Sequence, residues 1–152
     1  MVDMPRHLSP RFTEAIGRFD AENCKDPNIE DGQPRELLYA FRLTEWILKL
    51  DPSPSENLLL AARCQHICRW KIPRAQYPAT RAGYHQWKND LKMFHADLTS
   101  HILAQVGYDP ATVARFLDMR RCFNFNLLWG RARSKWGART RRMGRPLFRG
   151  GE

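Results

Sequence analysis

No run in the chain approaches the 18 or so consecutive apolar residues that a membrane-spanning helix needs. The first residues, Met1-Val2-Asp3-Met4-Pro5-Arg6-His7, lack the apolar core of a secretory signal. Asp3, Glu14 and Asp20 come too early for a transit peptide. These absences predict an intracellular, cytoplasmic protein with no membrane partner. Cysteine is scarce. Cys24, Cys64, Cys68 and Cys122 include no Cys-x-x-Cys pair, and in a reducing compartment they are expected as free thiols. Cys64 and Cys68 fall on one face of a predicted helix, but no second pair is spaced to complete a zinc tetrahedron. Buried structural thiols are the expectation. There is no alternating apolar–polar stretch of useful strand length and no internal repeat. A Gly-rich phosphate loop, a dinucleotide fingerprint and a Gly-x-Ser-x-Gly elbow are also absent. The common nucleotide-binding and serine-hydrolase signatures are therefore excluded.

The body also lacks a charge excess. Residues 1–118 hold 15 basic and 15 acidic residues, whereas residues 119–152 hold 10 basic residues and a single acid, Glu152. The formal net charge of +9 thus sits wholly in the last segment. This argues against a body that binds nucleic acid over a broad basic face. Nucleic acid is expected only through the tail, by counterion release and stacking on Trp129 and Trp136. Residues 130–151 are rich in Arg and Gly without a sustained apolar period, so a poorly ordered tail over 119–152 is expected after a domain at 9–118.

What is present is helical grammar. Ser9-Pro10 reads as an N-cap with Pro at the first helical position, followed by Phe12, Ile16 and Phe19 at helical spacing. Residues 26–33 read as a loop. Pro34 opens a second helix, whose face is Leu37, Leu38, Phe41, Ile47 and Leu50, and Asp51-Pro52 stops it. Ser53-Pro54-Ser55-Glu56 fits a capping box. The third helix is expected to run from there to Trp70, nearly apolar in its first turns and therefore central. Residues 71–80 form an irregular connection. Thr80 caps a long fourth helix with Trp87, Leu91, Phe94, Leu98, Ile102 and Val106 in phase, and Gly107 ends it. Asp109-Pro110 starts a fifth. The expectation is an all-α bundle of about five helices.

Several motifs resemble a known family. Leu60-Ala61-Ala62-Arg63-Cys64-Gln65-His66-Ile67-Cys68 is similar to the metal-binding helix of HD-domain phosphohydrolases, and the segment around His95 to the HD helix that carries a further ligand histidine. More closely, the chain resembles the family known as domain of unknown function 4202. The resemblance rests on Arg18-Phe19-Asp20 with Asn23, on Glu36-Leu37-Leu38-Tyr39-Ala40, and on Gln65-His66-Ile67-Cys68-Arg69-Trp70. Ile72-Pro73-Arg74 with Tyr77-Pro78, Arg81-Ala82-Gly83-Tyr84 with Trp87, and Phe94-His95-Ala96 complete it. It covers residues 10–118. The HD resemblance implies an HD-like bundle and a divalent metal that activates water. Gln65 stands where HD enzymes have the paired His, His66 where they have the paired Asp, and Tyr39 near the first ligand His, so a degenerate metal site is implied.

Two groupings follow. His66 and His95 are candidate metal ligands, with Tyr39, Gln65 or Asp118 as weak additional donors; the alternative is a hydrogen-bonded polar network. Arg69, Arg74 and Arg81, interleaved with Tyr77, Tyr84 and Trp87, suit an anionic ligand; the alternative is that they pair with Asp20, Asp26 or Glu36 and pin the loop. The expected function is binding, or metal-dependent hydrolysis, of a small phosphorylated or carboxylated ligand through Tyr39, Gln65, Arg69, Arg74 and Arg81. The competing expectation is a noncatalytic interaction protein whose basic tail binds an acidic partner or RNA.

Overall fold

Four of the five α-helices begin where the sequence supplies a capping oxygen. Ser9 Oγ accepts the Phe12 N–H at 3.2 Å and starts α1 (Pro10–Asn23). Ser55 Oγ accepts the Leu58 N–H at 3.2 Å and starts α3 (Glu56–Arg63). Thr80 Oγ1 accepts the Gly83 N–H at 3.1 Å and starts α4 (Arg81–Gln105). Asp109 Oδ1 accepts the Thr112 N–H at 2.9 Å and starts α5 (Pro110–Cys122). In each case a side-chain oxygen satisfies a donor that the helix itself leaves unpaired. The computed structural model describes residues 8–122, with side chains through Asp118. The expected basic tail lies outside the described residues apart from the last turn of α5, which continues four residues past Asp118 because 119–122 contain neither Gly nor Pro.

The second helix, α2 (Arg35–Leu50), is capped from a distance. Its N-cap residue is Pro34, which has no oxygen to offer. Asp26 supplies it instead: Oδ2 accepts the Glu36 N–H at 3.0 Å, while Oδ1 accepts the backbone and side-chain N–H of Asn28 at 2.9 and 2.7 Å. The loop expected over 26–33 is thereby tied to α2. It also contains a minimal hairpin, β1 (Ile29–Glu30) antiparallel to β2 (Gln33–Pro34), with Ile29 opposite Pro34 and Glu30 opposite Gln33. Asp31 and Gly32 turn it with φ of 51° and 74°, the positive pair a tight hairpin turn requires.

The third helix is shorter than expected. It stops at Arg63, and residues 64–68 form consecutive turns, followed by two short 3₁₀ segments, Arg69–Lys71 and Arg74–Gln76. Cys68 adopts φ 51°, and its N–H is taken by Asn23 Oδ1 at 3.0 Å. Cys64 and Cys68 therefore do not share a helix, although both thiols are free and buried as expected. The capping box is also displaced: Ser55 rather than Ser53 is the cap, and Glu56 accepts instead from the Ser9 N–H and from Ser9 Oγ.

α1 packs on α2, α3 and α4. Phe12 and Phe19 from α1, Leu43 and Ile47 from α2, Leu59 and Leu60 from α3, Leu103 from α4 and Phe116 from α5 are fully buried. Among them lies one charged pair. Arg63, 6% exposed in its side chain, donates from Nε and Nη2 to both Asp20 oxygens at 2.7 Å and from Nη1 to Thr44 Oγ1 at 3.3 Å. Its guanidinium also lies 4.0 Å from the Phe41 ring centroid. The partner of Asp20 is thus Arg63 and not one of the loop arginines. On α4 the buried positions include Gly83, Trp87, Leu91, His95, Thr99 and Leu103, each four residues after the last. No helix among the described residues is long and apolar enough to cross a membrane. The all-α expectation holds, with five α-helices among the described residues.

Candidate functional site

The turn after α3 builds the site. Ile67 and Cys68 are fully buried, whereas the His66 side chain between α3 and Cys68 keeps 24% of its surface exposed. The left-handed Cys68, held by Asn23, fixes that arrangement. α2 then contributes Glu36 and Tyr39, which three-residue spacing places on one helix face. Glu36 Oε2 stands 3.6 Å from His66 Nδ1, within ion-pair range but too long for a hydrogen bond. The Tyr39 ring stacks on the His66 imidazole with centroids 4.1 Å apart and 14° between planes. His95, buried on α4, places its ring centroid 6.4 Å from that of His66. His66 and His95 are thus ring neighbours.

Cations border the cluster. Arg69 follows His66 on the 3₁₀ turn, and its guanidinium lies 5.1 Å from the Trp87 ring centroid. The Trp87 indole N–H in turn donates to Ile72 O at 2.9 Å. Burial pushes the His66 pKa below its ordinary value, opposed by Glu36 and reinforced by the charges of Arg69 and Lys88. Burial also raises the Tyr39 phenol to about 12, aided by Glu36 and opposed by Arg69. At neutral pH the cluster therefore holds a neutral imidazole and a neutral phenol beside fixed cations.

The His66 shift has a measurable sign. With a folded pKa below the unfolded value near 6.5, the unfolded chain takes up the proton first as the pH falls. The stability tied to a neutral His66 is complete above that value and is lost as pH drops through it. The melting temperature of the wild type is expected to fall further than that of His66→Gln between about pH 7.5 and about pH 5.5. Equal falls would assign the acid sensitivity elsewhere.

The remaining expected residues are distributed differently. Gln65 adjoins His66, with its carboxamide oxygen buried. Arg74 donates to the Tyr77 and Pro78 carbonyls at 3.0 and 2.9 Å, so its guanidinium braces the loop. Arg81 is exposed at the first residue of α4, about 21 Å along the helix axis from His95. Asp118 is exposed on α5. Glu36 and Lys88 were not marked by sequence reasoning as site residues. Two imidazoles on one tetrahedral ion have centroids roughly 5 Å apart, and the observed pair is wider. Among the described residues no group of three or more His, Cys, Asp or Glu side chains is gathered to hold a metal. As arranged, these residues do not fit one.

Residues 13–122 match the family model described as domain of unknown function DUF4202. The chain belongs to that family. The match reaches the last residue of α5 and takes in every residue of the cluster. The comparison with curated proteins and that with solved structures returned no match. The helix that suggested an HD-like metal site stops before Gln65 and His66, so these two residues sit on a turn rather than on a helical face.

Proposed function

We propose that the DUF4202 domain binds a small phosphorylated or carboxylated ligand at the His66 cluster. Arg69 holds the anion, while Glu36, Tyr39, Gln65, His66 and His95 line the floor beside it. One observation supports this most. A buried carboxylate and two imidazoles converge next to a guanidinium in a small helical body, where such groups are costly unless they serve a purpose. Neutral His66, 3.6 Å from Glu36, is suited to accept a proton from a bound group and pass into an ion pair with that carboxylate. Arg74 supports the site by bracing the loop that carries Arg69.

Titration calorimetry with inorganic phosphate and with citrate tests the reading. The wild type is expected to bind at least one of them, and Arg69→Ala to weaken that binding about tenfold or more, the scale of a lost charge-assisted hydrogen bond. Absence of binding for both anions, or unchanged binding in Arg69→Ala and His66→Ala, overturns it. A second reading, hydrolysis assisted by a divalent metal, would need His66 and His95 to draw closer than the 6.4 Å between their ring centroids. Stoichiometric metal in the purified protein, lost in both His66→Ala and His95→Ala, would replace the first reading with the second.

A further inference from the structure

Helix α4 carries an exposed row of basic residues, of which only Lys88 also acts on the His66 cluster. Arg81, His85, Lys88 and Lys92 are all exposed, and their spacing of four, three and four residues places them on one stripe of the helix. None of the four forms an ion pair among the described residues. Every other described lysine and arginine rests on a carboxylate, carbonyl, hydroxyl or aromatic face. In a body with no net charge, ion pairing has thus left its unused cations on a single helix face.

The stripe works against its own helix. Arg81 and His85 lie in the first turns of α4, at the positive end of the helix dipole, and the first turn holds no acid. Lys88 and Lys92, like charges four residues apart, repel. Local rules broken without a structural return mark a functional surface. Tyr84 is interleaved with the cations, 42% exposed, with His85 edge-on at 5.9 Å. An exposed ring between unpaired cations offers a stacking face beside phosphate contacts. The stripe is a single row about 16 Å long, suited to one strand rather than to the two backbones of a duplex.

We infer that the exposed face of α4, from Arg81 to Lys92, is a docking surface for single-stranded nucleic acid. Lys88, Lys92 and Arg81 contact successive phosphates and Tyr84 stacks on a base. The surface lies within residues 81–92 of the body.

Fluorescence anisotropy of the full chain with a short labelled oligouridylate, over a range of salt, decides this. The wild type is expected to bind with a steep salt dependence. The triple variant Arg81→Gln/Lys88→Gln/Lys92→Gln is expected to bind more weakly and to flatten the log–log salt slope by about 2, from about 0.7 per lost phosphate contact. Tyr84→Ala is expected to lose about tenfold in affinity with little change of slope. All four positions are exposed, so circular dichroism should confirm an unchanged fold. A wild type that does not bind overturns the inference. So does a triple variant with unchanged affinity and slope, or equal binding of poly-glutamate that Tyr84→Ala leaves intact; the last outcome would reassign the surface to an acidic polypeptide.

Discussion

Arg63→Ala is expected to destabilise the domain by about 3–5 kcal/mol, the largest single-side-chain effect among the changes considered for this fold. The guanidinium is almost wholly enclosed, engages both oxygens of Asp20, reaches Thr44 and lies over Phe41. Removing it leaves the Asp20 carboxylate, 23% exposed, facing a cavity rather than a cation. A typical domain has about 5–15 kcal/mol in total, so the variant should be partly unfolded at room temperature by urea titration. Asp20→Ala should cost a similar amount for the converse reason. The double variant should cost clearly less than the sum, because neither charge is then stranded. Additive losses would show that packing against Phe41, and not the ion pair, carries the effect.

Gly83→Ala is expected to reverse the usual sign of a helical Gly-to-Ala change. In an open helix that change gains up to about 1 kcal/mol. Here a Cβ at residue 83 would lie 2.2 Å from Pro78 O, a backbone atom that cannot swing away. Either the first turn of α4 or the 77–80 segment must shift. The cost should be at least the roughly 1–3 kcal/mol of an overpacked core. The same segment is braced by Arg74, which donates to Pro78 O, and by Tyr77, whose hydroxyl donates to Asp90 at 2.8 Å. A shift would also disturb Arg69 over Trp87, so anion affinity should fall along with stability. A Gly83→Ala protein with wild-type melting and wild-type anion binding would mean that the helix start yields freely.

The helix starts were legible because their causes are local. Ser9, Thr80 and Asp109 each cap a helix within three residues, and Gly107, at φ 86°, ends α4 where its identity suggests. The end of α3 was not legible. Ile67 and Cys68 continue the apolar pattern, and no Gly or Pro intervenes before Pro73. Beyond Arg63 the chain instead turns through Cys68, whose N–H is accepted by the Asn23 side chain, 45 residues upstream. The cap of α2 fails for the same reason, since Asp26 acts across ten residues.

The site divides along the same line. His66 and His95 stood out as histidines flanked by family-like motifs, and they are neighbours. Glu36 stood out only as a motif residue and a possible arginine partner, because its proximity to His66 depends on how α2 meets the turn after α3. Arg74 and Arg81 look like companions of Arg69 in the sequence. In space one braces carbonyls and the other sits at the far end of α4.

Six of the seven buried residues of α4 recur every fourth position from Gly83 to Leu103, whereas a straight helix repeats every 3.6. Each step therefore advances the contact line by about 40°, and the line winds by about 200° over its length. The helix meets the Pro78 segment with one side, the His66 cluster with another and α1 with a third. Its phase must be right at all three stations together. Inserting one residue between Leu91 and His95 would turn one end by about 100° relative to the other. Point substitutions on the outer face leave that phase untouched. The outer face of α4 is thus tolerant of changes in composition, whereas the helix as a whole is intolerant of changes in length.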